Sequence, residues 1–176
     1  MKKIVLILAV ALIAMVSLFA KKATPVATVK NVDLNRYLGK WFQIAYYPNS
    51  FQPKDCGLTT AEYSMDARGK IIVKNTCFED SQGQKIKKRA TAKAWSVSKS
   101  NARLKVRFFW PFTGDYWIVR LDENYQWAVV SDPGRKYLWV LARNNTMDKD
   151  TWADMANWLI SNGWQPSRLK ITGEIR

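Results

Sequence analysis

The chain has 176 residues, 48% of them hydrophobic, which suits one domain with a sizeable core plus a targeting segment. It carries 28 Lys and Arg against 14 Asp and Glu, with no His, for a formal net charge of +14. Without His, no Ser-His or Cys-His nucleophilic pair exists; no Gly-rich phosphate loop is present, and two Cys alone do not complete a zinc site. The composition therefore points away from an enzyme, and no cofactor or metal is expected.

Residues 1–20 read as a secretory signal, with a retained N-terminal anchor as the alternative. Lys2 and Lys3 form a basic start, and an apolar run follows from Ile4 to Phe19. A cut after Ala20 would put Leu18 where a small residue is usual, and no Cys follows the run to take a lipid. Residues 21–31 lack periodicity and read as a mobile arm, so the domain is expected over 32–176.

From Trp41 the chain becomes a series of short strand patterns. Strands are expected near 40–47, 58–66, 70–77, 86–97, 102–109, 115–122, 125–131 and 137–143. Turn formers separate them, among them Asp66 to Gly69, Ser81-Gln82-Gly83 and Asp132-Pro133-Gly134. Eight strands with short links favour an up-and-down barrel over a sandwich with long crossovers. Cys56 precedes the second strand and Cys77 ends the third. Folding that hairpin brings the two sulfurs near each other, so one disulfide is expected, with two free thiols as the alternative.

Alternation gives a provisional inner face. Leu104, Val106 and Phe108 alternate with Lys105 and Arg107; Ala90, Ala92 and Ala94 alternate with Arg89, Thr91 and Lys93. A row of inward alanines leaves room for a ligand. Tyr137, Trp139, Leu141 and Arg143 share one parity. After the strands, Trp152, Met155, Ala156 and Leu159 repeat at helical spacing. Asp148 or Asp150 can cap this helix, and Asn162-Gly163 stops it before Pro166. Its apolar stripe is expected to pack on the outside of the barrel. A short last strand is expected at Lys170-Ile171-Thr172.

These blocks resemble the lipocalins, and within them the bacterial lipocalin and apolipoprotein D-like group. The carrying residues are Asn35 to Ala45 with Gly39-Lys40-Trp41, Thr60-Ala61-Glu62-Tyr63-Ser64, Phe108 to Trp117, and Tyr137 to Arg143. The likeness runs from about Val32 to Thr172. Ser131-Asp132-Pro133 departs from the Thr-Asp-Tyr of many members. The missing lipid-acceptor Cys departs from those bacterial members that are lipoproteins.

The resemblance implies an all-β fold, an eight-stranded antiparallel up-and-down barrel with one C-terminal α-helix packed outside. It implies a floor built by Gly39, Trp41 and Arg143, with the guanidinium stacked on the indole. It further implies a small hydrophobic ligand such as a fatty acid or lysophospholipid, carried or stored during membrane maintenance in the cell envelope. The candidate lining is Tyr47, Tyr63, Asn75, Ala92, Ala94, Phe108, Tyr116, Trp139 and Leu141. Tyr63 and Trp139 fall where apolipoprotein D-like proteins place ligand-contacting aromatics. The expected location is periplasmic or outer-membrane associated, with release from the cell as the alternative. The expected state is a monomer or homodimer.

The charge leaves a second reading, a basic envelope protein that binds an anionic surface without an internal ligand. Lys85, Lys87, Lys88, Arg89 and Lys93 form the densest basic stretch. A nucleic-acid partner is not expected, because the aromatic residues fall on the inward parity rather than beside the cations. Trp110, Pro111 and Phe112 form an apolar group in the fifth interstrand loop, expected at the barrel mouth with the long loop 48–57, whose Phe51 is placed to cover the cavity.

Overall fold

The computed structural model describes residues 25–176. The expected signal or anchor at 1–20 lies outside them, as does the start of the arm. Residues 25–31 form no helix or strand. Val26 is nevertheless buried in the core that faces the C-terminal helix, and the Val29 amide donates to Ile118 O at 3.0 Å.

A short helix, α1 (Leu34–Tyr37), opens the domain, capped by the Asp33 carboxylate, which accepts from the amides of Asn35 and Arg36. Eight strands follow in sequence: β1 (Gly39–Tyr46), β2 (Leu58–Met65), β3 (Ile71–Phe78), β4 (Ile86–Ser96), β5 (Arg103–Arg107), β6 (Gly114–Leu121), β7 (Trp127–Ser131) and β8 (Leu138–Ala142). Each pairs antiparallel with the next, and β1 also pairs with β8, so the sheet closes. Closure leaves the barrel without a continuous open edge. The turns use the residues their chemistry asks for. The Asp66 carboxylate accepts from Arg68 N and Lys70 N at 2.9 and 2.8 Å, and Gly69 takes φ +72° between them.

The seam carries an irregularity that matters for the site. Phe42 faces Ala142 and Gln43 faces Leu141, but Ala45 faces Val140 and Tyr46 faces Trp139. One extra residue is thus inserted in β1, and the inside–outside alternation reverses after Gln43.

After β8 come β9 (Thr146–Met147), α2 (Lys149–Ser161), a 3-10 turn at Pro166–Arg168, β10 (Lys170–Ile171) and β11 (Glu174–Ile175). Asp148 caps α2 by accepting from Thr151 N at 2.8 Å. The helix buries Met155 and Leu159 against the barrel's outer wall, beside Ile44, Val119, Val129 and Val140. Arg120 on β6 holds it there through an ion pair with Asp154 at 2.7 Å. Strand β10 adds to β1 at Ala45 and Tyr46, and β11 pairs in parallel with β9.

The molecule therefore has two cores. One fills the lower barrel, with Trp41, Tyr37, Tyr63, Leu104, Ile118 and Val130 among its buried members. The other lies between barrel and helix. Cys56 and Cys77 form a disulfide with their Cα atoms 5.4 Å apart, tying the β1–β2 loop to the end of β3.

Candidate ligand-binding site

The closed end is built by α1, β1 and β8. Gly39, at φ +95°, turns the chain from α1 into β1, a conformation that L side chains resist. This turn sets Trp41 inside the barrel, fully buried, its indole N–H donating to Tyr37 O at 2.8 Å. Arg143 follows directly after β8. Its guanidinium lies over the Trp41 ring at 3.8 Å from the centroid and donates to three backbone carbonyls, those of Arg36, Lys40 and Tyr125. Burial lowers the Arg143 pKa, an effect the Tyr37 phenol partly opposes. The expected floor of Gly39, Trp41 and Arg143 is thus assembled.

Three phenols meet above the floor. The Tyr116 hydroxyl lies 2.7 Å from that of Tyr37 and 2.8 Å from that of Tyr63. Burial pushes all three pKa values upward, that of Tyr63 to about 12. They stay neutral at physiological pH. Three phenolic protons serve two hydrogen bonds among themselves, so one proton remains to donate elsewhere.

The wall beyond is apolar and small. Ala92 and Ala94 of β4 are buried in the inner core with Ile71, Val73 and Ala128. Asn75 shares the face of Ile71 and Val73, half-buried opposite Ala61 and Ala90. Leu141 belongs to the same inner cluster, and Trp139 packs against it half-buried. Tyr63, Asn75, Ala92, Ala94, Tyr116, Trp139 and Leu141 therefore share the barrel interior; alternation alone points there for Ala92 and Ala94 and groups Trp139 with Leu141.

Tyr47 and Phe108 do not. Tyr47 is buried outside the barrel, where its hydroxyl donates to Gln165 O and accepts from Gln165 N, and Arg168 covers its ring at 4.3 Å. The inserted residue in β1 reverses its parity. Phe108 lies past the end of β5, 43% exposed, and lines a groove on the outer wall. The strand stops at Arg107, so alternation no longer governs the next position.

At the mouth, two residues that alternation alone did not single out join Trp139. The Trp139 indole N–H donates to Gln52 Oε1 at 3.3 Å, and Gln52 Nε2 donates to Gln43 Oε1 at 2.8 Å. Gln43 in turn donates to Thr172 Oγ1 at 3.2 Å. Phe51 lies beside Tyr137 and Trp139, with centroids 5.3 and 6.2 Å away. The β1–β2 loop thus rests on Trp139. A glutamine inside an otherwise apolar strand was the available signal for Gln43.

A closed meander barrel, blocked at one end by an indole–guanidinium pair and lined by aromatic and alanine side chains, defines a barrel-type binding protein. The chain belongs to the lipocalin family: the description "Lipocalin-like domain" matches residues 32–174. Among similar proteins, the outer membrane lipoprotein Blc of Vibrio cholerae is 38% identical over 149 residues, covering 82% of this chain and 84% of that one. Temperature-induced lipocalin-1 of Arabidopsis thaliana is 34% identical over 151 residues, covering 82% and 80%. Apolipoprotein D of Macaca fascicularis is 29% identical, covering 87% and 82%. Among solved structures, insecticyanin of the tobacco hornworm Manduca sexta superposes with a TM-score of 0.64 at 16% identity, covering 88% of this chain and 92% of that one. That likeness concerns the fold. Small hydrophobic ligands are the general business of the family, and this chain is a binding protein rather than an enzyme.

Proposed function

We propose that the barrel binds and carries or stores a single-chain amphiphile, a fatty acid or lysophospholipid, in the bacterial cell envelope, in the periplasm or at the outer membrane. The tyrosine cluster carries this reading. An apolar barrel interior with one phenolic proton left over suits a ligand with a long apolar body and one polar acceptor. The small side chains of Ala92 and Ala94 favour a flexible chain over a filled interior. The envelope location is supported by the names of relatives, several being outer membrane lipoproteins.

Titration with palmitic acid or a lysophospholipid is expected to quench tryptophan fluorescence saturably, and Trp139→Ala to weaken the affinity. Native mass spectrometry of protein taken from its own envelope is expected to retain one such ligand. An unchanged spectrum on titration, with no lipid in the native complex, would overturn the reading.

A further inference from the structure

A second surface lies outside the barrel. On the outer face of β3, β4 and β5, a groove of about 660 Å³ runs between Ile72, Lys93, Trp95 and Arg107, and the β5–β6 loop walls it with Phe109 and Trp110. Ile72, Lys93 and Trp95 alternate with the inward Ile71, Val73 and Ala94, so most of the groove lies on the outer wall, although Ala92 of the inner cluster also borders it.

Its chemistry is one-sided. Lys70, Lys93 and Arg107 line it, and among the described residues no Asp or Glu does. None of the three is in an ion pair among the described residues, whereas Lys74, Lys85, Lys87 and Lys105 on the same strands and their turn all are. Arg107 stacks over Trp95 at 5.1 Å, and its Nε is buried without a hydrogen-bond acceptor among the described residues. A buried guanidinium N–H without an acceptor is costly and marks a place for an anionic oxygen.

The rim is apolar and exposed. Phe109, Trp110 and Phe112 are 67%, 80% and 67% exposed. Above them, β4 pairs with β5 only from Lys93 to Ser96, so residues 86–92 present a strand edge. That edge carries exposed Lys88 and Arg89. Edge lysines deter strand addition, but that role asks nothing of three exposed aromatic rings. Aromatic rings beside unpaired cations are the pattern of a lipid–water interface, where rings settle at headgroup depth and cations meet phosphate.

We propose that this flank docks the protein onto an anionic bilayer, with Phe109, Trp110 and Phe112 entering the interface and a lipid phosphate held in the groove by Arg107, Lys93 and Lys70. The docked face is the flank on which residues 86–92 of β4 have β3 but not β5 as a neighbour, so that unpaired edge turns toward the lipid.

The test uses the full chain with Phe112→Cys carrying an environment-sensitive dye, since Cys56 and Cys77 are bonded to each other and leave that thiol alone. The apolar segment 4–19 would hold the chain to any vesicle, whereas the dye reports on the loop alone. Vesicles of phosphatidylcholine with phosphatidylglycerol are expected to shift the dye emission to the blue, and pure phosphatidylcholine to leave it unchanged. Added salt is expected to reverse the shift. Each of Lys70→Glu, Lys93→Glu and Arg107→Gln is expected to weaken the response to anionic vesicles about fivefold or more, while fatty-acid quenching of the interior tryptophans persists. Equal responses on both vesicles, or indifference to the charge changes, would overturn the proposal. So would a dye shift that grows with protein concentration without vesicles, which would give the face to a second copy of the chain. Loss of fatty-acid quenching with docking intact would strike only the interior reading.

Discussion

The guanidinium carbon of Arg143 lies 3.8 Å from the centre of the Trp41 indole, and its nitrogens hold the carbonyls of Arg36, Lys40 and Tyr125. One side chain thus joins the end of β8 to α1, to the start of β1 and to the β6–β7 turn. Arg143→Met removes the cation–π contact and leaves three carbonyls short of a donor. The expected loss is about 2–4 kcal/mol, read by urea denaturation. Arg143→Lys should recover only a fraction, because a point charge cannot reach three acceptors in one plane. A loss below about 1 kcal/mol for the methionine variant would contradict this account.

Gly39 is the hinge that makes this contact reachable. A Cβ built there would lie 3.3 Å from Arg143 Nη1, on a backbone at φ +95°. Gly39→Ala is expected to cost about 1–3 kcal/mol from backbone strain and displacement of the guanidinium. Thermal unfolding measures it, and near-native stability would mean that the turn relaxes freely.

The tyrosine cluster predicts sensitivity to alkali. Each phenol has a folded-state pKa above its ordinary value of 10, that of Tyr63 reaching about 12. The unfolded chain therefore releases these protons first as pH rises. Their contribution to stability is fully present below pH 10 and declines as pH rises, through about pH 12 for Tyr63 and in the same direction for Tyr37 and Tyr116. Tyr63→Phe should flatten that slope in denaturation curves taken across the window. An identical slope in the variant would remove Tyr63 from the cause.

Cys56 and Cys77 are 21 residues apart in sequence. Closing a loop of that size stabilises by about 3 kcal/mol in the chain-entropy picture. The double change Cys56→Ala with Cys77→Ala is expected to lower stability by that order while leaving the strand content of the circular dichroism spectrum intact. Loss of the strand signal itself would show that the bond is needed for folding.

Gln52 is the bridge between Trp139 and Gln43. Gln52→Leu breaks both bonds and frees the β1–β2 loop from the mouth. The expected result is an affinity for fatty acid lower by about fivefold, with faster release and a stability loss of about 1–3 kcal/mol from the orphaned Gln43 and Trp139 groups. Stopped-flow displacement separates the rates, and an unaltered release rate would deny the loop any part in retention.

Much of this architecture was readable beforehand because alternation is a strong signal wherever one face is wet. Leu104 and Lys105, or Ala92 and Lys93, announce their sides plainly. The helix was equally legible, with Met155 and Leu159 one turn apart and Asp148 before them. The Trp41–Arg143 floor came through resemblance, since nothing in either residue alone requires the other. Tyr47 was misplaced because an inserted residue in β1 has no local mark in Ile44-Ala45-Tyr46. Phe108 was misplaced because β5 ends at Arg107 in mid-pattern. The phenol cluster draws on α1, β2 and β6, so only the closed barrel brings Tyr37, Tyr63 and Tyr116 to one point.

Strand β10 has a consequence for how the chain matures. The second half of β1 lies between β8 and β10, and the amides of Thr172 and Gly173 donate to Ile44 O. The second half of this strand at 39–46 thus gains its second partner only from residues 170–173. Pairings so distant along the chain form slowly. Closure by β1 and β8 does not depend on β10, so this outer clasp can settle after the cylinder has already shut.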